Sequence, residues 1–469
     1  MDQQAWYDKH GLSPDAEGWF DGVPECKKLP ISEEQWASNL LANAKSPIPC
    51  MKSAAYNPRT MVMVCGGPTA AQFLDDIRAK ARSKEYDVFC SNKTGEWLLE
   101  NGIVPQFHVC IDPKPEKVND FRLTHPDTTC LISISCDPSV FEYLENKDGV
   151  TARKFYAVST TNGVDAEQLK LYLGGDTLAI CGGTMMGVRA ITLADGLGYR
   201  RLEYYGFDAS IENSDHQYSY DKTHNEAILD VEAEDGRVFV STPLFADQVR
   251  QMMLWRGVVP HVETIFYGDS FMSHMMRLYE EKNRPKTDAM ITDEYLEMQK
   301  HMHEKGNYGI SGHKHAHSIF CLAEQLRSRQ DSVSILDYGC GRSTLRKSFD
   351  KLGDIPGVEW QEYDPAIKGK DVPPTSADIV VCTDVMEHVE YDCISNVLDD
   401  IQRLTKKVAF FWISTVPAVK KLPNGENAHI SILPPDYWYG QINRRFVIAE
   451  SRVYDGAVAI VGQSLEAVK

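Results

Sequence analysis

Between residues 56 and about 265, short apolar runs alternate with amphipathic stretches. MVMVC (61–65), YDVFCSN (86–92), FHVCID (107–112), TCLISIS (129–135), KFYAVS (154–159), TLAICGG (177–183) and RLEYYGFD (201–208) have the length and composition of strands. Between them AAQFLDDIRAKA, EWLLENG and the stretch from Met185 to Leu197 read as helices, the last through Val188, Ile191 and Leu197. Strands separated by helices of this size predict βα repeats and a mainly parallel sheet. The pattern restarts at 331 with SVSILDY, VEWQEYD (358–364), ADIVVCTD (377–384) and VAFFWIST (408–415). Ile394, Val397, Leu398, Ile401 and Leu404 mark one apolar helix face. RFVIAESRVYDGAVAIVGQ closes the chain as two strands joined antiparallel.

The stretches around these repeats divide the chain. Residues 1–55 are broken by Gly, Pro and Trp and read as an N-terminal extension without chemistry, with one helix around ISEEQWASNLLANA. Residues 266–326 read as helices and connectors between an α/β domain at 56–265 and another at 327–469. The expected fold class is therefore α/β, with two Rossmann-like domains, each a mainly parallel sheet flanked by helices. At 469 residues the chain exceeds what one core of ordinary size holds.

Composition narrows the partners. The 43% apolar content is that of a folded protein, and the formal net charge is -18. KKLP (27–30) and TKK (405–407) are too short to track phosphates, so stable nucleic-acid binding is not expected. The twelve cysteines lack a CxxC pair, and several lie inside strand-like runs, as free buried thiols would. No run approaches membrane-spanning length and MDQQAWYDKHGLSPD has no apolar targeting core, so a cytoplasmic protein without a membrane partner is expected.

The chemistry of the second domain centres on DYGCGRS. Asp337 ends the first strand, and Gly339 and Gly341 make a bend where a side chain would block a ligand. About 23 residues on, the second strand ends in Asp364, placed to accept both hydroxyls of a ribose. The third apolar run leads into TDVMEHVE, with Asp384, Glu387 and His388. The glycines alone are weak evidence and also fit a tight packing turn without a ligand; the ordered set is the specific signal. The turn lacks GxGxxG, so a dinucleotide fits poorly. Residues 285–469 resemble the class I S-adenosylmethionine-dependent methyltransferases, whose first motif is an acid followed by GxGxG; Ser343 here replaces the third glycine.

That resemblance implies S-adenosylmethionine as cofactor, Asp364 as the ribose acid and Asp384–His388 as the loop beside methyl donor and acceptor. It implies Tyr308 and Gly309, in NYGISGHKH, as part of a lid, and NGENAHISILPPDYWYGQI (424–442) as an acceptor-side wall or an edge cap. Glu387 and His388 are the acid–base candidates, with helix orientation and packing as their structural alternatives. His301, His303, His313, His315 and His317 form no zinc pattern, and a solvated linker is the reading of that stretch; no metal site is expected.

In the first domain MVMVCGGPTAAQF has the build of a phosphate-binding turn: a buried strand, Gly66 and Gly67, a proline, and Thr69 where it could cap a helix. It lacks a GK[ST] ending and is no P-loop. Asn92, Asp112 and Asp208 end later strands, with His216 eight residues after the last. Turns and acids of this kind belong at the ligand edge of a parallel sheet, although each alone could be a helix cap.

GGPT (66–69), the Asn92–Lys93 pair with GIVPQFHVCIDP, GGT-M-x-G (182–187) and GFD (206–208) with His216 resemble the 6-hydroxymethylpterin pyrophosphokinase-like family. They also resemble the motility accessory factors that glycosylate flagellin. The resemblance implies one of two chemistries. Pyrophosphoryl transfer would need Mg²⁺ on carboxylates such as Asp112 and Asp208; transfer from a CMP-sugar or other nucleotide-activated donor would need the nest and a base, His216. The expectation is a bifunctional transferase: a methyltransferase joined to an enzyme using a CMP-sugar-like donor, acting on a small-molecule, glycan or nucleobase acceptor. The alternatives are a Mg²⁺-dependent pyrophosphokinase-like first domain or a non-catalytic interaction platform. A nucleic-acid amino-methyltransferase would need [DN]PP[YF] where this chain has TDVMEHV.

Overall fold

A computed structural model describes residues 31–157, 173–183, 185–211, 228–282, 287–304 and 308–468. The chain divides into two compact units, Met1–Asn283 and Arg284–Lys469.

The first unit begins with α1 (Glu33–Ala44) and carries β1 (Thr60–Val64), α2 (Leu74–Arg82), β2 (Tyr86–Ser91), α3 (Thr94–Glu100), β3 (Phe107–Cys110), β4 (Thr129–Ser133), α4 (Pro138–Glu145), β5 (Thr151–Ala157) and β6 (Ala179–Ile180). It continues through α5 (Met186–Gly196), β7 (Arg201–Tyr205), β8 (Leu229–Glu232), β9 (Val238–Ser241), α6 (Pro243–Val258), β10 (Glu263–Phe266) and α7 (Phe271–Lys282). Eight strands form one sheet in the order β10-β7-β1-β2-β3-β4-β5-β6, every pair parallel, while β8 and β9 form a separate hairpin. Alternate strand residues serve opposite faces, as the pleat demands. Met61, Met63, Phe89 and Leu131 pack toward α5, α6 and α7; Val62, Val64, Val88 and Cys90 pack toward α2 and α3.

The second unit contains α8 (Asp293–Glu304), α9 (Ala316–Arg327), β11 (Val333–Tyr338), α10 (Thr344–Phe349), β12 (Val358–Tyr363), β13 (Ala377–Thr383), α11 (Ile394–Leu404), β14 (Thr405–Ser414), α12 (Pro435–Asn443), β15 (Phe446–Tyr454) and β16 (Ala457–Ser464). Its sheet runs β12-β11-β13-β14-β16-β15, parallel across the first four strands and antiparallel at β16. Leu336, Val380 and Cys382 face α11 and α12; Ile335, Ile379 and Val381 face α9 and α10. The expected α/β class, with helices on both faces of each main sheet, is what the chain adopts.

The stretch 266–326 is not one connector. Phe271, Met272, Met275 and Met276 bury α7 in the first core, while α8 and α9 belong to the second unit. The helix of the extension is built into the first unit: Trp36, Leu40 and Ala44 of α1 pack with Cys110, Ile132 and Phe141.

Candidate functional site

In each sheet, sequence order reverses at one strand: at β1, flanked by β7 and β2, and at β11, flanked by β12 and β13. Such reversals open a crevice beyond the carboxyl ends of the strands. The described non-glycine residues with positive φ are Asn92 (53°), Ala209 (53°), Ser343 (58°) and Asp384 (55°). Each follows the carboxyl end of a strand flanking a reversal or of β11 itself. A left-handed L-residue costs on the order of 1–3 kcal/mol and persists where its surroundings hold it.

In the first unit, Gly66 and Gly67 leave β1 and Asp208 follows β7. Asp208 Oδ2 accepts the Thr69 N–H at 2.9 Å, and Oδ1 accepts the Thr69 hydroxyl at 2.5 Å. Thr69 therefore does not cap a helix through its hydroxyl; the carboxylate across the crevice takes it. The Gly67 N–H donates to Gly206 O at 2.8 Å, and a Cβ on Gly67 would lie 2.5 Å from both Asp208 Oδ2 and Gly206 O. No residue but glycine fits there without displacing the strand end.

Two strands along, Lys117 gathers the other predicted residues. Its Nζ stands 3.2 Å from Asn92 Oδ1, 3.6 Å from Asp112 Oδ2 and 3.1 Å from Asp120 Oδ2. Burial opposes its charge, but Asp120 and Asp112 hold its pKa above the ordinary value. His108 Nε2 donates to Asn92 O at 2.7 Å, and burial lowers its pKa to about 4. Asp112 and Asp208 lie at the ends of strands three positions apart, about 14 Å at ordinary sheet spacing. Their carboxylates are engaged separately, Asp208 by Thr69 and Asp112 by Lys117. His216 lies outside the described residues.

In the second unit, the Gly339 and Cys340 N–H groups donate to Tyr363 O at 2.8 and 3.0 Å, tying the turn after β11 to the end of β12. Gly339 (φ 80°) and Gly341 (φ 47°) are left-handed. Side chains there would overlap Val385 and the Gly309 carbonyl respectively. Ser343 takes the same region of φ, so the replaced glycine still has a glycine's conformation, and its hydroxyl accepts from Lys370.

Asp364, almost fully buried, accepts the Gly341 N–H on Oδ2 and the Ala366 N–H on Oδ1, both at 3.0 Å. Asp337 is buried in β11; desolvation, with Glu362 and Asp364 nearby, pushes its pKa up to about 8. Tyr308 and Gly309 lie on this turn: Gly309 O accepts the Arg342 N–H at 2.8 Å. The Tyr308 hydroxyl donates to Gln299 Oε1 at 3.0 Å and stands 3.2 Å from His388 Nδ1.

Asp384 is held by its N–H to Trp412 O, at 2.9 Å. Its Oδ2 stands 3.5 Å from His315 Nε2, an ion-pair distance without hydrogen-bond alignment. Burial raises the Asp384 pKa, but His315 and Ser311 together pull it below the ordinary value. Glu387 does not orient the helix after it; Oε1 accepts the Ser414 N–H at 3.1 Å. Burial, then Asp384, pushes its pKa up to about 8. His388 donates from Nδ1 to Ala428 O at 2.6 Å, and burial lowers its pKa to about 4.

The predicted set thus forms two groups at the reversal of the second sheet: Asp337, Gly339, Gly341 and Asp364 beside Tyr308 and Gly309, and Asp384, Glu387 and His388 at the end of β13. The histidine-rich stretch is not a solvated linker throughout. His303 is largely buried, 3.8 Å from Asp364 Oδ2, and His315 is buried against Asp384 and Trp412. Spacing along the chain carried no sign of either contact, nor of Lys117 or Lys370.

The arrangement suits an adenosine cofactor in two respects. The turn brings bare backbone to the crevice, and buried polar atoms along that edge (Asp337 Oδ2, Glu362 Oε1 and His303 Nδ1) have no hydrogen-bond partner in the protein. Buried polar groups rarely stay unpaired, so these atoms invite a ligand.

Residues 34–214 match the family model of 6-hydroxymethylpterin diphosphokinase MptE-like proteins. The matched segment contains Gly66, Gly67, Thr69, Asn92, Asp112 and Asp208, so the resemblance read from those motifs holds. No curated protein matches the chain. Among solved structures, a MAf glycosyltransferase from Magnetospirillum magneticum AMB-1 is similar at 15% identity and a TM-score of 0.39, over 54% of this chain and 42% of that one. The chain thus spans less than half of that glycosyltransferase. The 1,6-didemethyltoxoflavin-N1-methyltransferase of Burkholderia thailandensis, solved with S-adenosylhomocysteine, is similar at 13% identity and a TM-score of 0.24, over 33% of this chain and 79% of that one. The magnesium protoporphyrin IX methyltransferase of Synechocystis PCC 6803, solved with S-adenosylmethionine, is similar at 13% identity and a TM-score of 0.23, over 32% and 79%. Among the described residues, no helix is long and apolar enough to cross a membrane.

Proposed function

We propose that the chain is a bifunctional transferase. Its second unit methylates a small-molecule, glycan or nucleobase acceptor with S-adenosylmethionine, and its MptE-like unit uses a nucleotide-activated donor of the CMP-sugar type. The observation that carries the first part is the row of unpartnered buried polar atoms beside the glycine turn at the reversal of the second sheet. S-adenosylmethionine supplies an electrophilic methyl on its sulfonium. The chain's own residues then bind, align and exclude water. Asp364 is assigned the ribose hydroxyls, Gly339 and Gly341 the close backbone approach, Asp384 the far side of the cofactor, and Tyr308 and Gly309 the cover. Glu387 and His388 are the groups at this edge able to handle the acceptor's proton; His388 keeps Nε2 as a lone-pair acceptor because Nδ1 donates to a carbonyl.

In the first unit Gly66, Gly67 and Thr69 are assigned the phosphates and Asn92 the neighbouring polar contact. The carboxylates Asp112 and Asp208 are already engaged by Lys117 and Thr69, which favours a sugar-type transfer without a shared metal over pyrophosphoryl transfer. The family match favours the pyrophosphoryl alternative.

Calorimetric titration with S-adenosylmethionine and S-adenosylhomocysteine tests the first assignment. One-site binding is expected, lost in Asp364→Ala with fold retained; a folded wild type that binds neither overturns it. Titration with CMP and with ATP separates the two readings of the first unit, CMP binding supporting the sugar donor and ATP with Mg²⁺ the alternative.

A further inference from the structure

Three side chains converge at the carboxyl edge of the second sheet. Ligand-capable atoms of Glu387, His388 and His429 all lie within 4.8 Å of one another. Glu387 comes from the short turn after β13. His429 comes from the long loop after β14, and that loop is pinned to the turn: the Ser431 N–H donates to Glu387 O at 3.0 Å and its hydroxyl to Val389 O at 2.6 Å.

Both imidazoles are fixed in a donor-ready state. His388 Nδ1 is 2.6 Å from Ala428 O, and His429 Nδ1 is 2.6 Å from Val416 O. A carbonyl only accepts, so both Nδ1 atoms carry the proton and both Nε2 atoms present lone pairs. This is the arrangement in which a backbone carbonyl orients a metal-binding imidazole. The two rings stand 4.8 Å apart and nearly perpendicular. Glu387 is wholly buried, and although Oε1 is bonded to the Ser414 N–H, Oε2 has no partner. A buried Glu387 oxygen left unpaired beside two imidazole lone pairs is a costly arrangement unless a proton or a metal cation joins them.

We propose that Glu387, His388 and His429 bind one divalent transition-metal cation. Two imidazole nitrogens and one carboxylate suit Zn²⁺, Mn²⁺, Fe²⁺ or Co²⁺ better than Mg²⁺ or Ca²⁺, which prefer all-oxygen sets. Three protein ligands leave a coordination position open, as in catalytic rather than structural sites. The inference rests on the methyltransferase reading of the same site and changes one assignment within it: Glu387 and His388 become ligands rather than proton carriers, and the acceptor gains a Lewis acid to bind.

The test uses the full chain without an affinity tag, stripped with chelator, dialysed, and titrated with Zn²⁺ and with Mn²⁺. One equivalent per chain is expected, with a rise in melting temperature. In His429→Ala and Glu387→Gln, affinity should fall by more than the roughly 10- to 100-fold that loss of an outer partner costs. The double variant His313→Ala/His317→Ala, in the neighbouring histidine-rich stretch, should bind as the wild type does. Absence of binding overturns the proposal, as does binding that survives both ligand variants or disappears in the double variant. Titrating the same stripped protein with S-adenosylhomocysteine separates the two readings: nucleoside binding without metal binding sinks this inference alone.

Discussion

Asp337 sits buried in β11 with one carboxylate oxygen unbonded, and burial holds its pKa up at about 8. The unfolded chain releases that proton near pH 4. Between about pH 4 and pH 8 the native state therefore holds a proton that the unfolded state has lost. Its contribution is fully favourable below that window and is lost as pH rises through it. Asp337→Asn keeps the shape and removes the titration. The stability of wild type minus variant is expected to fall from pH 5 to pH 8, by at most about 1.4 kcal/mol per pH unit. Denaturant melts at matched m-values measure it, and Glu387, His303 and His388 cancel because both proteins carry them. A flat difference would mean that Asp337 is already ionised in the folded state.

At the scale of the element, α11 was written in the chain: Ile394, Val397, Leu398, Ile401 and Leu404 recur at helical spacing, and all five are buried. Leu398→Ala is expected to destabilise the second unit by about 2–5 kcal/mol, read from its unfolding transition. A loss below about 1 kcal/mol would place that face at the surface. The strands were equally legible, because a parallel sheet covered on both faces demands nearly continuous apolar runs. What periodicity could not disclose is contact across long separations. Asn43 of α1 donates its amide to Ile134 O and Cys136 O at 3.0 and 2.7 Å, so the extension is built into the first core, yet nothing near residue 43 names that partner. His303 and His315 read as solvated because i and i+2 share no helix face; burial came from Asp364 and Asp384, some 60 to 70 residues on. The candidate site was legible as strand ends, each bearing its glycine or acid. The lysines and histidines that bridge those ends were not.

For the whole molecule, two compact units mean that one melting temperature does not describe the chain. A ligand that binds one folded unit stabilises that unit by mass action, and the gain falls on the segments the ligand holds closed. Hydrogen exchange with saturating S-adenosylhomocysteine is therefore expected to slow in peptides spanning 334–343, 363–366 and 383–389. Peptides spanning 61–69 and 201–208 should exchange as before. With CMP the pattern should invert, and protection should reach residues 66–69 and 92. The measurement assigns each ligand to a sheet edge without an acceptor in hand, so it stands apart from any activity assay. Protection by S-adenosylhomocysteine confined to the first unit would exchange the proposed roles of the two halves, and protection in neither would leave the glycine turn after β11 as a packing turn between strand and helix.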